Sequence, residues 1–174
     1  MNYSNWKIEE CPTDKLKMFT DAGYPALLAA LLSVRGFGSV QEAKSFLDGG
    51  AELLCDPLLM KDMDRAAARI RRALSMRETV AVYGDYDVDG ITSTCLLTDW
   101  LRSRGLECYP YIPDRIGEGY GLNSAAIDTL HGKGVSLIIS VDCGITAAEE
   151  AKHAKEVGVD LIITDHHECR EQTI

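Results

Sequence analysis

Positive charge is scarce in this 174-residue chain: 18 lysines and arginines face 27 aspartates and glutamates, a formal net charge of −9. That balance argues against a surface that coats nucleic acid through bulk electrostatics. It leaves room for a nucleic-acid substrate, because acids gathered around divalent cations reverse the local sign. Any CxxC pair is missing too, since Cys11, Cys55, Cys95, Cys108, Cys143 and Cys169 are scattered. The start, MNYSNWKIEECP, is polar and acidic, without the basic-then-apolar character of a targeting signal. Both absences read as reduced, mostly buried thiols in a cytoplasmic protein. No apolar run can span a bilayer: PALLAALLSV is the most apolar, reads as a buried helix, and implies no membrane partner. Internal repeats and low-complexity tracts are lacking. What is there, 46% hydrophobic and 26% charged residues, is ordinary for a soluble domain with a small appendage.

Two regions differ in rhythm. Residues 1–60 read as a small helical N-terminal region: a polar lead, a helix over Tyr24–Val34, a break at Arg35–Gly38, and a helix over Ser39–Leu47. Ser39 is the expected N-cap, Glu42 completes a capping box, and Gly49-Gly50 ends the helix. Residues 61–174 alternate instead. Helices are expected over Asp62–Met76, Ile91–Arg104, Asn123–His131 and Thr146–Val157. Strands are expected over Thr79–Gly84, Leu106–Ile112, Val135–Val141 and Val159–Thr164. Leu137-Ile138-Ile139 and Leu161-Ile162-Ile163 are apolar without interruption, as strands buried on both faces are. The fold class is therefore α/β, a largely parallel sheet with helices on both faces.

Polar residues cluster where strands end. Asp85, Asp87 and Asp89 follow the first strand, Pro113-Asp114-Arg115 the second, Asp142 the third, and Asp165-His166-His167 the fourth. Ligands of open α/β sheets bind at this edge. If the first strand ran on through its three aspartates, they would share one face. Neighbours about 6–7 Å apart would then repel by roughly 2.5 kcal/mol at an effective dielectric of ~20. A cation relieves that repulsion. Carboxylate and imidazole donors without cysteine suit Mn²⁺ or Mg²⁺, and so many carboxylates balance two ions better than one. Phosphoester hydrolysis is the natural reaction of such a pair.

Other readings compete. DYDVDG opens like a calcium loop, but the twelfth position is Leu96 rather than glutamate. DVDGIT resembles the haloacid-dehalogenase pattern, with Asp87 as nucleophile and Asp89 as acid/base, which leaves Asp142 and His166-His167 without work. A zinc site from Cys143, His166, His167 and Cys169 matches no recognised spacing. DYDVDG, VDCG and TDHH, in that order and each after an apolar strand, together resemble the DHH phosphoesterase superfamily. YGDYDVDGITST, YIPDRIGEGYGLN and RGFGSVQEAKSFL are similar to its single-strand-specific 5′→3′ DNA exonuclease branch.

That resemblance implies roles. Asp87 and Asp89 become ligands of the two ions, Asp142 their bridge, His166 a further ligand, and Asp85 a ligand or a support of the loop. His167 faces the scissile phosphate, so catalysis falls to His167 and Asp142. Arg115 contacts a phosphate, Tyr120 stacks on a base or sugar, Ser93 donates to phosphate and Asp114 hydrogen-bonds a metal ligand. Single-stranded DNA is the implied partner, with single-strand-binding protein and a helicase beside it, in repair and recombination. The alternatives are an oligonucleotide or cyclic-dinucleotide phosphoesterase and a non-catalytic scaffold. An ordinary mobile loop explains PDRIGEGYGLN as well, and a solvated helix face explains Arg65, Arg69 and Arg72. Gly90 is expected to let the chain turn, and Asp165 to orient its histidines. The resemblance also implies a further metal aspartate, a DHH-associated domain and an OB-type domain beyond Ile174. The expectation is a truncated DHH domain, inactive alone, that binds Mn²⁺ weakly.

Overall fold

The computed structural model describes residue 7 and residues 9–169. The first six residues of the polar lead and the last five residues of the chain lie outside them. The chain forms two compact units, Met1–Leu59 and Met60–Ile174.

The first unit is helical. α1 (Thr13–Asp21) occupies part of the expected polar lead, α2 spans Ala26–Val34 and α3 spans Val40–Asp48. Only Leu16, Met18 and Phe19 are apolar in α1, yet Phe19 is fully buried with Ala29, Leu32 and Ala43 and meets Tyr24 edge-on. α2 is buried along one side only, with Leu27 and Leu31 exposed. Ser39 caps α3 by accepting from the Glu42 amide at 3.1 Å. The Glu42 carboxylate reaches back to the amide of Gly38 rather than Ser39, at 2.8 Å.

The second unit is the α/β domain. Its elements are α4 (Met63–Met76), β1 (Thr79–Tyr83), α5 (Val88–Ser103), β2 (Cys108–Tyr111), α6 (Ser124–Gly132), β3 (Val135–Val141), α7 (Ala148–Val157) and β4 (Asp160–Thr164). All three strand pairings are parallel, in the order β2-β1-β3-β4. β2 is shorter than its apolar pattern, and as an edge strand it tolerates Pro110, which has no amide proton to donate. Successive residues of the central strands alternate between two cores. Val80, Val82, Leu137 and Ile139 pack with Ala73 of α4 and Leu101 of α5. Ala81, Tyr83 and Ile138 pack with Ile127 and Leu130 of α6 and Ala154 of α7.

This winding positions the site. The chain leaves β1 toward β2 over one face, then returns to β3 and β4 over the other. The reversal opens a crevice between the carboxyl ends of β1 and β3, where doubly wound folds bind ligands.

Two expectations about polar groups need correction. Among the cysteines only Cys108 and Cys143 are buried, while Cys55, Cys95 and Cys169 are exposed. The arginine stripe is not simply solvated either. Arg69 is mostly buried and pairs with Glu78 and Asp160, each at 2.6 Å.

Candidate metal centre and substrate loop

β1 stops at Tyr83, so Asp85, Asp87 and Asp89 do not share a strand face. Asp85 is buried and accepts from the Tyr86 amide at 2.6 Å. Asp87 caps α5, its Oδ1 accepting from the amides of Asp89 (2.9 Å) and Gly90 (3.0 Å). Asp89 lies in the first helical turn. The flanking glycines are needed for space. A Cβ at Gly90 would sit within 2.6 Å of the Asp85 backbone, and one at Gly84 would meet the Gly90 carbonyl at 2.8 Å. Gly90 thus lets the helix start press against the loop, instead of providing a turn.

The third corner is strained. Asp142 follows β3 with φ +61°, a left-handed conformation uncommon outside glycine, asparagine and aspartate. Its amide donates to the Thr164 carbonyl at 2.9 Å, tying the corner to β4. Its Oδ1 lies 2.9 Å from His166 Nε2. Its Oδ2 is buried and, among the described residues, has no hydrogen-bond partner. Burial, then the Asp87 carboxylate, push the Asp142 pKa up against the opposing pull of His166. Asp87 is held below its ordinary range by the Gly90 amide first, then by the Asp89 amide and the Asp142 carboxyl.

Asp165 organises the fourth corner, as its position before two histidines predicts. Its Oδ2 accepts from the Ile145 amide at 2.9 Å, and its Oδ1 from the His167 amide at 3.0 Å. The same Oδ1 holds His167 Nδ1 at 2.7 Å. Burial pushes the Asp165 pKa up, but these hydrogen bonds outweigh it and the net shift is downward. His167 is raised in turn, chiefly by its bond to Asp165.

Donor atoms of Asp142, His166 and His167 all lie within 4.8 Å of one another. Asp87 adjoins Asp142, and Asp89 lines the same cleft of about 410 Å³ with Thr92, Ser93, Asp142, Thr164, Asp165 and His166. Asp85 is buried, bonded to its own loop, and is not among the residues that line the cleft. The unpartnered buried Asp142 Oδ2 is the feature a cation would satisfy, and oxygen and imidazole donors suit Mn²⁺ or Mg²⁺. The zinc set does not assemble among the described residues. Cys143 is buried with its thiol 3.8 Å from the Tyr83 carbonyl, burial pushes its pKa up to about 12, and Cys169 is outside the donor cluster.

The segment after β2 is pinned among its own residues. Glu118 accepts from the Asp114 amide at 2.8 Å and from the Tyr111 hydroxyl. Tyr83 donates its hydroxyl to the Gly121 carbonyl at 2.9 Å. Asp114 accepts from the Gly117 amide at 2.9 Å and, among the described residues, has no hydrogen bond to a metal-type side chain. Tyr120 meets His167 edge-on at 6.3 Å. Arg115 lies over the Tyr86 ring at 5.1 Å, and Tyr86 meets Tyr120 edge-on at 6.2 Å. Sequence reasoning assigned nothing to Tyr86 or Glu118. An aromatic between two candidate ligands was the available signal for the first, and a glutamate in a glycine-rich loop for the second.

A doubly wound α/β domain with carboxylates and imidazoles gathered at its switch point defines a cation-binding class of fold. The chain belongs to the DHH family: the model of the DHH family, N-terminal domain, matches residues 79–174. It is 46% identical over 164 residues to the single-stranded-DNA-specific exonuclease RecJ of Bacillus subtilis, covering 94% of this chain and 21% of that protein. A solved exonuclease RecJ bound to manganese matches at a TM-score of 0.63 and 37% identity, covering 69% of this chain and 31% of the other. RecJ of Thermus thermophilus in complex with Mn²⁺ matches at 0.64 and 30% identity, covering 93% and 22%. The chain thus spans about a fifth of the length of its Bacillus relative. No helix among the described residues is long and apolar enough to cross a membrane.

Proposed function

We propose that this chain carries the metal-binding part of a single-stranded-DNA exonuclease that hydrolyses phosphodiester bonds 5′→3′. The observation that carries the reading is the buried Asp142 Oδ2, without a hydrogen-bond partner among the described residues, beside two imidazoles. Likeness to RecJ proteins, some solved with Mn²⁺ or Mg²⁺, supports the choice of ion and substrate. Asp87, Asp89, Asp142 and His166 are the proposed ligands, and Asp85 fixes the loop that presents Asp87. When bound, divalent ions polarise a phosphoryl oxygen and lower the pKa of water. Asp165 holds His167 at Nδ1 and leaves Nε2 to the substrate. The raised pKa of His167 keeps a proton available for a phosphate oxygen or leaving group. Ser93 lines the cleft from the second turn of α5, where its hydroxyl is the proposed phosphate donor. Arg115 and Tyr120 form the substrate side, by ion pairing and stacking. Cytoplasmic DNA repair and recombination, beside single-strand-binding protein and a helicase, completes the proposal.

The test replaces the matching stretch of the Bacillus relative with this chain. With Mn²⁺ the chimera should shorten labelled single strands, spare duplexes and cyclic dinucleotides, and lose activity on His167→Ala. A folded chimera that prefers cyclic dinucleotides, or is indifferent to His167, contradicts the proposal. The 174-residue chain alone should bind Mn²⁺ weakly and degrade DNA little.

A further inference from the structure

Arg115 and Tyr120 sit on the segment after β2, and the metal-type donors sit after β1, β3 and β4. One side chain, Tyr86, touches both members of the substrate segment. Its ring takes the Arg115 guanidinium on its face at 5.1 Å and the Tyr120 ring at its edge at 6.2 Å. Its own backbone is fixed, because the Tyr86 amide donates to buried Asp85 at 2.6 Å. The next residue, Asp87, is locked as the cap of α5. The far end of the segment is anchored independently, through Glu118 on Tyr111 and Gly121 on Tyr83.

From this geometry we infer that Tyr86 is a positioning residue, holding Arg115 and Tyr120 in register with the metal-side carboxylates so that one phosphodiester meets both. This rests on the reading of the site as a single-strand DNA site. A free arginine on a glycine-rich loop samples many rotamers, and ordering it on binding costs affinity. Cation–π contact with a fixed ring removes part of that cost beforehand. The face is aromatic but needs no hydroxyl: no hydrogen bond of the Tyr86 hydroxyl occurs among the described residues. Phenylalanine should therefore substitute.

The test uses the 174-residue chain with Mg²⁺, a short single-stranded oligonucleotide, and the variants Tyr86→Leu, Tyr86→Phe and Arg115→Ala. In NMR spectra the Arg115 side-chain signals should be ring-current shifted in the parent and in Tyr86→Phe, and lose that shift in Tyr86→Leu. Arg115→Ala should weaken oligonucleotide binding about tenfold in the parent. In the Tyr86→Leu background it should weaken binding only about threefold, the difference being the coupling of two touching residues. Tyr86→Phe should restore the full effect, which a merely structural loss at Tyr86 would not explain. Two results overturn the inference alone: unshifted Arg115 signals in the parent, or equal costs of Arg115→Ala in both backgrounds. A shifted Arg115 in a chain that binds no oligonucleotide overturns the DNA-site reading first, and the positioning role with it.

Discussion

The two edges of the sheet use the same ingredients to opposite ends. At the amino edge, Arg69 of α4 reaches Asp160 at the start of β4 and Glu78 just before β1, both at 2.6 Å. Ser136 of β3 donates to the same Glu78 oxygen at 2.7 Å. Among the described residues one guanidinium nitrogen, Nη1, is left over, but the charge itself is matched. At the carboxyl edge, Asp142 sits in a left-handed conformation, close to Asp87, with one buried oxygen unmatched among the described residues. Paired charges hold the first edge together, while the second retains a left-handed backbone and a carboxylate repulsion that a bound cation would relieve. Strain of that kind concentrates where ligands bind.

Substitutions at the two edges should therefore behave differently. The largest loss of stability is expected where α5 presses on the Asp85 loop. Gly90→Ala forces a methyl into the Asp85 backbone and should cost about 3 kcal/mol or more, read as a shift of the urea midpoint. Arg69→Met comes next. Removing one partner of a mostly buried pair leaves Glu78 with only the Ser136 hydroxyl and the longer 4.0 Å contact to Arg72, for up to about 3 kcal/mol in the same assay. Asp142→Asn should move the midpoint by less than about 1 kcal/mol, and upward, because asparagine accepts φ +61° and the repulsion with Asp87 disappears. A large destabilisation by Asp142→Asn would erase the contrast between the edges.

The smallest effect is a pH dependence. Glu78 is depressed below its ordinary 4.5, first by its bond to Arg69. A depressed acid contributes stability above its unfolded pKa and loses it as pH falls through the folded value. Between neutrality and strong acid, the parent should lose stability through Glu78 in the range below about 4.5, and Arg69→Met should lose the larger part of that component, keeping what Ser136 and Arg72 contribute. Identical acid limbs in both proteins would contradict the pairing.

Much of this was legible in the sequence, and for physical reasons. Runs such as Leu137-Ile138-Ile139 are apolar on consecutive positions because β3 is covered on both faces, and a break to Asp142 marks its exit into the crevice. Which of Asp85, Asp87 and Asp89 faces the crevice was not legible. That depends on α5 starting at Val88 and packing through Gly84 and Gly90, a tertiary contact with no periodic signature. The same holds for α1, whose polar sequence hides Phe19, and for Tyr86, whose neighbours come from 29 and 34 residues away along the chain, at Arg115 and Tyr120.

The central claim is that the unmatched Asp142 oxygen belongs to a divalent cation. Thermal melting with and without Mn²⁺ tests it directly, because a ligand bound only by the folded state stabilises it by about 2.7 kcal/mol at a hundredfold excess over Kd. The parent chain should melt higher with Mn²⁺ and Asp142→Asn should not respond. An equal rise in both, or none in the parent, would contradict the account.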